Sequence, residues 1–337
     1  MNDEWLIYRG VGEPHDGIDA LPDPPPWRDF DGGPVGEAGG AGADAADGNI
    51  ARRLGAHRQA AELHRPEPEE LEAINAALYL RRPLLVTGFP GTGKSTLAHA
   101  VAHELKLGRV LRWPVVSRTV LQDGLYRYDA LARLQDVQIA ASGGAPGGAP
   151  GIGKYIRLGP LGTALLPTGR PRVLLIDELD KSDIDLPNDL LNVLEEGEFA
   201  LPELERVADT EPEVQVLTDD GSKVTVQGGR VRCRAFPFII LTSNGERDFP
   251  AALLRRCIQL KLGQPGEKRL ATMVRAHLGE EAAQLGADLI REFLSRSQSE
   301  LVAADQLLNA VYLTHYAAPP TREDLADLLI QRLDRPR

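Results

Sequence analysis

The sequence predicts an α/β fold built on a buried parallel sheet, with an all-helical domain after it. Three observations predict it. Apolar runs at 84–86 (LLV), 173–176 (VLLI) and 236–241 (FPFIIL) are short and bounded, as strands buried on both faces should be. Stretches with apolar residues at helical spacing lie between them, giving an alternating β/α order. From Gly266 onward the pattern is helical only, which sets a second packing unit apart.

Composition narrows the class. The 337 residues suit one large or two ordinary domains plus tails, and 42% hydrophobic content supports a real core. The net charge of −11 is unevenly placed: residues 1–50 hold eleven acids and two arginines, leaving the rest close to neutral. No basic stripe of the kind that binds a nucleic-acid duplex is present, so nucleic acid is not the expected partner. Cys233 and Cys257 form no C-x-x-C and lack a partner pair, so neither a metal site nor a disulfide framework is expected, and a reduced cytoplasmic setting is the default. There is no apolar run of membrane-spanning length and no basic-then-apolar N-terminus.

Residues 1–60 pass from WLIYRG through a Pro/Asp-rich stretch into Gly/Ala-rich sequence. Such composition buries too little surface to offset chain entropy, so most of this leader is expected to lack fixed structure alone. Trp5, Tyr8, Trp27 and Phe30 are costly to leave in water, which predicts docking on the body or on a neighbouring subunit.

A helix over 68–79, with Leu71, Ile74, Ala77 and Leu78 on one face, feeds the first strand. That strand breaks at Gly88, and residues 88–95 fit G-x-x-x-x-G-K-[ST] in full. Gly88, Gly91 and Gly93 let backbone N–H groups turn toward phosphate oxygens, and a helix N-terminus adds positive potential behind them. Lys94 can reach β- and γ-phosphates, and the Ser95 hydroxyl can ligate Mg²⁺. Leu97, Val101 and Leu105 carry the following helix to Gly108, and RVLRWPVV reads as a second strand.

Helical sequence resumes near Val120 and includes GLYRYDALARLQD; 142–153 is a flexible Gly/Ala/Pro insert. VLLIDE at 173–178 places two carboxylates at the C-terminal edge of a central strand, where open α/β sheets hold ligands. Asp177 would hold Mg²⁺, and Glu178 could polarise an attacking water as general base. An amphipathic helix ending at Gly197 follows, then a hairpin pattern over 213–228 around DDGSK. FPFIILTSN ends on Asn244, either a water- and phosphate-sensing amide or a residue capping the next turn. Arg255 and Arg256 follow in PAALLRRC, and IQLKL closes the strands. Four helical stretches then run from EKRLATMVRAHL to TREDLADLLIQRL.

Over residues 66–333 this constellation resembles the AAA+ ATPases, and within them the MoxR-like branch. GFPGTGKST, comprising Gly88, Phe89, Pro90, Gly91, Thr92, Gly93, Lys94, Ser95 and Thr96, is similar to Walker A; VLLIDE is similar to Walker B, and LTSNGERDFP to sensor 1 and its continuation. The resemblance implies a three-layer P-loop domain over 66–263 with a five-stranded parallel sheet, then a helical lid over 265–333. It implies ATP and Mg²⁺ as cofactors, with the nucleotide held between subunits of a ring, usually a hexamer. Arg256 aligns with the branch's arginine finger and Arg255 stands beside it, so either is a candidate to reach a neighbour's γ-phosphate. Arg322 falls in the sensor 2 slot, with a solvated surface arginine as the plainer reading. Ser117, Arg118 and Thr119 share the switch-residue slot after the second strand.

The function this implies is a Mg²⁺-dependent ATPase that remodels or gates a partner protein. Relatives of the branch work beside von Willebrand factor A proteins in maturation or bacterial conflict systems. The alternative is a nucleotide-switched scaffold that binds ATP and assembles with negligible turnover. A small-molecule kinase needs neither the Asp-Glu pair nor the paired arginines.

Overall fold

The computed structural model describes residues 3–34, 64–142, 150–297 and 304–316. Its centre is a five-stranded sheet in which every neighbouring pair is parallel. Helix α1 (Pro68–Leu80) leads into strand β1 (Leu84–Gly88), and α2 (Lys94–Glu104) leads into β2 (Leu111–Pro114). After α3 (Leu121–Leu125), β3 (Tyr126–Tyr128), α4 (Ala130–Ala141), β4 (Ile156–Leu158) and α5 (Pro160–Ala164), the chain returns to the centre as β5 (Val173–Asp177). Then come α6 (Asp185–Glu196), β6 (Glu198–Ala200), α7 (Pro202–Glu205), β7 (Glu213–Leu217), β8 (Lys223–Gln227) and β9 (Arg230–Arg232). β10 (Phe238–Ser243), α8 (Ala251–Arg256) and β11 (Ile258–Leu262) complete the domain, giving the strand order β11-β1-β10-β5-β2.

Alternate residues of the central strands enter opposite cores, as the two-residue period of a strand requires. Leu84, Val86, Val173, Leu175 and Ile240 face α1 and α2, packing with Ile74, Leu78, Leu97 and Val101. Leu85, Leu174, Ile176, Ile239 and Leu241 face the other way, with Leu186, Leu190 and Leu194 of α6. The C-terminal tips of β1, β10 and β5 therefore stand side by side, and the chemistry gathers there.

A second sheet, β3-β4-β7-β8-β9-β6, flanks the first, and β7 and β8 pair antiparallel from Glu213↔Gln227 to Leu217↔Lys223. It corrects two expectations. The helical reading across GLYRYD is broken because Tyr126, Arg127 and Tyr128 pair antiparallel with Leu158, Arg157 and Ile156. The flexible insert is shorter at its C-terminal end than 142–153. Ile152 and Gly153 are buried in a 3₁₀ turn, and a Cβ on Gly153 would lie 2.1 Å from the Gln215 carbonyl oxygen. Residues 143–149 lie outside the described residues.

Of the leader, expected mostly to lack fixed structure alone and to dock through its aromatic residues, residues 35–60 lie outside the described residues. Residues 3–34 follow a set path over the body, although they form no core of their own. Ile7, Tyr8 and Ile18 are buried in the cluster under α1 and α2. Asn75, fully buried on α1, accepts from the Ile7 and Tyr8 N–H groups at 2.8 and 2.9 Å and donates to the Tyr8 carbonyl. Glu104, fully buried at the end of α2, accepts from the N–H groups of Arg9, Gly10 and Gly12 and lies 3.2 Å from His15 Nε2. Arg28 donates to the carbonyls of Arg81, Leu194 and Glu195 and lies over the Phe30 and Phe236 rings. Side chains of the body thus satisfy backbone groups that the leader cannot satisfy internally.

Helices α9 (Glu267–Leu285), α10 (Ala287–Ser297) and α11 (Ala304–Tyr316) pack around Leu270, Val274, Ile290, Phe293 and Leu307. Gly279, at φ 88°, kinks α9 between the first two expected helical stretches. The fourth expected stretch, with Arg322, lies outside the described residues. Among the described residues no helix is long and apolar enough to cross a membrane.

Candidate functional site

The loop from Gly88 to Lys94 joins the tip of β1 to the start of α2. Gly91 and Gly93 have φ of 77° and 90°, a region that penalises any side chain. Lys94 is buried, and its ammonium donates to the Gly88 carbonyl (2.7 Å), the Phe89 carbonyl (2.9 Å) and Asn244 Oδ1 (2.8 Å). All three of its donors are thereby used. Burial lowers its pKa, against the opposing pull of Asp180, Asp177 and Glu178.

Asp177 closes β5 directly opposite. Its Oδ1 accepts from Ser95 Oγ at 2.9 Å and Thr242 Oγ1 at 2.8 Å, and its Oδ2 from Arg112 Nη2 at 2.7 Å. Burial pushes this carboxyl upward, but hydrogen bonds from Arg112, Thr242 and Ser95 outweigh burial and hold it below the usual range. A hydroxyl and an ionised carboxylate in mutual contact are hard oxygen donors. They suit Mg²⁺, which keeps several waters and takes few protein ligands beside phosphate.

Glu178 adopts a left-handed conformation, φ 62°, uncommon for a residue with a side chain. Its N–H donates to Thr242 Oγ1 at 2.9 Å, so one hydroxyl fixes the backbone of Glu178 and the carboxylate of Asp177 together. The Glu178 carboxylate accepts from Lys181 at 2.8 Å and is 43% exposed. Asp180 is buried, and its Oδ2 accepts from the N–H groups of Asn244 (2.9 Å) and Glu246 (3.1 Å).

Direct hydrogen bonds thus join Lys94 to Asn244 and its neighbour Ser95 to Asp177, with Glu178 next to Asp177. Phe89 and Pro90 are exposed on the loop, while Thr92 Oγ1 donates to the Phe89 carbonyl. Gly91, Thr92, Gly93 and Thr96 line a cavity of about 400 Å³ closed by Pro66 and by Met273 of α9. Arg269 of α9 reaches this loop, donating to the Thr92 carbonyl at 3.4 Å and pairing with Glu70. His64 Nε2 lies 3.4 Å from the second Glu70 oxygen.

The paired arginines stand apart from this cluster. Arg256 donates to Glu195 Oε1 at 2.6 Å and to the Ala252 carbonyl, whereas the exposed Arg255 guanidinium makes no hydrogen bond or ion pair among the described residues. Neither bonds to the loop, Asp177, Glu178 or Asn244. Sequence reasoning did not find Arg112, Thr242, Asp180, Glu70 or Arg269. Only Asp180, a third acid close behind the Asp-Glu pair, carried a local signal.

The family profile of the AAA domain (dynein-related subfamily) matches residues 83–257. Over 123 residues the chain is 33% identical to an ATP-dependent protease ATP-binding subunit-like protein of Rhodococcus erythropolis, a match covering 36% of this chain and 31% of that one. The chain therefore aligns with less than a third of that relative's length. Among solved structures, NtrX from Brucella abortus superposes with a TM-score of 0.42 at 16% identity, covering 86% of this chain and 58% of that one. The ADP complex of the same protein gives 0.41 at 14%, covering 86% and 61%.

Proposed function

Because the chain belongs to the dynein-related subfamily of AAA domains, we propose that it is a Mg²⁺-dependent ATPase that works as a ring and acts on a partner protein. One observation carries the reading: at the edge of the central sheet Lys94 hydrogen-bonds Asn244 and its neighbour Ser95 hydrogen-bonds Asp177, so residues far apart in sequence meet around the glycine loop.

Each residue has a task that its position supports. A triphosphate in the glycine loop draws the Lys94 ammonium away from the Gly88 and Phe89 carbonyls onto phosphate oxygens. Ser95 and Asp177 would hold Mg²⁺, which would supply positive charge to offset that of the phosphates. Asn244, released by Lys94, turns its amide toward the attacking water. Glu178 leaves Lys181 and takes the proton of that water. The base of the nucleotide fits the cavity between the loop and α9. Arg255, whose guanidinium has no partner among the described residues, is the better placed of the two arginines to enter a neighbour's site, because Arg256 is bound to Glu195. A cation supplied across an interface makes hydrolysis depend on assembly. The partner class follows the family: a protein client, with a von Willebrand factor A protein as the first to try.

The ion pair between Glu178 and Lys181 favours a second reading, in which ATP binding drives assembly with negligible turnover. Steady-state phosphate release separates the two. The ATPase reading expects release that Lys94→Ala and Glu178→Gln both abolish, together with a larger assembly in ATP by sedimentation. No release from the assembled parent leaves the scaffold reading.

A further inference from the structure

Asp180 lies on the 3₁₀ turn Leu179–Lys181 behind the Asp177–Glu178 pair and is 2% exposed. Its two oxygens differ. Oδ2 accepts both the Asn244 and Glu246 N–H groups, while Oδ1 is buried with no hydrogen-bond partner among the described residues. A buried carboxylate with one oxygen unsatisfied is costly, so its retention calls for an explanation.

Asn244 supplies that explanation. It is gripped at both ends, with Lys94 donating to its side-chain oxygen and Asp180 accepting from its backbone. Once phosphate draws Lys94 away, the first grip is lost and the Asp180 bond alone still fixes the residue at the tip of β10. Glu246, two residues on, is held by the same oxygen, so the turn cannot hinge about Asn244. The negative charge also has a nearby counterpart, because Asp180 exerts the largest opposing pull on the buried Lys94 ammonium.

We infer that Asp180 is a positioning residue for ATP hydrolysis, anchoring the Asn244–Glu246 turn to the acidic loop after β5 so that the Asn244 amide, once released by Lys94, is held toward the attacking water during turnover. The inference rests on the ATPase reading. Asp180 touches neither substrate nor metal, and its effect passes through Asn244.

The test is a cycle of Asp180→Ala, Asp180→Asn, Asn244→Ala and the Asp180→Ala/Asn244→Ala double variant in the full chain. Asp180→Ala is expected to lower kcat at least ~10-fold with the KM for ATP moved less than about 3-fold, the split of a group that acts on the transition state. The double variant is expected to be no slower than Asn244→Ala within about 2-fold, since both changes act through one amide. Asp180→Asn, which keeps an acceptor for both N–H groups, should recover most of the rate. Hydrogen exchange of the peptide spanning 243–248 reads the tether without turnover. Asp180→Ala should speed its exchange at least ~10-fold, and Asp180→Asn should not. Multiplying rate effects, Asp180→Ala turnover within about 3-fold of the parent, or unchanged exchange would each overturn the inference. An inactive parent whose 243–248 exchange still responds would instead defeat the ATPase reading and leave the tether standing as structure. If Asp180→Ala does not fold, Asp180→Leu, close in shape and without an acceptor, runs the same cycle.

Discussion

Arg112 Nη2 lies 2.7 Å from Asp177 Oδ2, the carboxylate oxygen that Ser95 and Thr242 leave open. If Asp177 holds Mg²⁺ as proposed, the guanidinium and the ion would compete for this carboxylate. Arg112 is 55% exposed, and pairs of this kind are worth about 1 kcal/mol or less. Arg112→Ala is therefore expected to lower the Mg²⁺ concentration needed for half-maximal binding of ATP by roughly 3- to 5-fold. Titrating Mg²⁺ against a fluorescent ATP analogue reads it. A higher Mg²⁺ requirement would make Arg112 a supporting group instead.

Glu178→Gln keeps the shape of the site and removes the base. Binding of ATP is expected to persist while kcat falls by about 10²- to 10⁴-fold, the range for losing a general base. Lys181→Ala is the informative companion, because it frees the Glu178 carboxylate from its ion pair. It should leave kcat equal to or up to about 3-fold above the parent, as expected for loss of an exposed pair. A large fall in Lys181→Ala would show that Lys181 itself takes part in the reaction.

What the sequence made legible depended on how far apart the cooperating atoms lie along the chain. Lys94 and Ser95 are adjacent within a loop whose glycines must be glycine, so the pattern and the chemistry coincide. Asp177 could be read because the run before it is apolar throughout, and β5 is indeed buried at every position. Arg112 could not. It reaches Asp177 because β2 and β5 align Arg112 with Leu175 and Pro114 with Asp177, a register that no local pattern encodes. Thr242 likewise looks like an ordinary strand residue until β10 is laid beside β5. The leader's composition correctly implied no core of its own. It could not reveal that Asn75 and Glu104, polar residues fully buried on α1 and α2, are the acceptors that hold it.

That attachment can be measured. Asn75→Ala strips the buried Ile7 and Tyr8 N–H groups and the Tyr8 carbonyl of their partner. Unsatisfied buried groups cost about 1–3 kcal/mol each before relaxation, so a loss of roughly 2–4 kcal/mol is expected in urea unfolding. Trp27→Ala serves as the control. This side chain is 73% exposed, and its loss should change stability by about 0.5 kcal/mol or less. Similar midpoints for the two variants would mean that the leader contributes nothing to the stability of the body.

Cys233 and Cys257 are free and buried, and burial pushes both thiols up to about 12. The thiolate is the reactive form, so both should resist a thiol reagent at pH 8. Modification is expected to follow global unfolding, with two thiols per chain appearing together across the urea transition. Rapid reaction of one thiol in the native protein would reveal local opening at that residue.

Acid should weaken the fold through the buried pair of Arg172 and Asp220, 2.9 Å apart with side chains 7% and 4% exposed. Burial raises the Asp220 carboxyl, but hydrogen bonds from Thr218 and Arg172 outweigh it and hold the carboxyl below its ordinary value. A carboxyl depressed in the folded state binds fewer protons there than in the unfolded chain. Its contribution is therefore complete above the unfolded value of about 4 and is lost as pH falls through that value toward the folded one. Neighbouring Asp219 runs the opposite way, raised by burial, and softens the total acid loss. Arg172→Met isolates the pair. At pH 7 it strands a buried carboxylate and should cost about 3 kcal/mol; with Arg172 gone, burial raises that carboxyl, so acid protonates it more readily in the variant than in the parent and much of the cost disappears. Urea unfolding at pH 7, 5 and 3.5 should show the gap between parent and variant narrowing as pH falls. A constant gap would mean that Arg172 acts by packing, with the Asp220 charge playing no part.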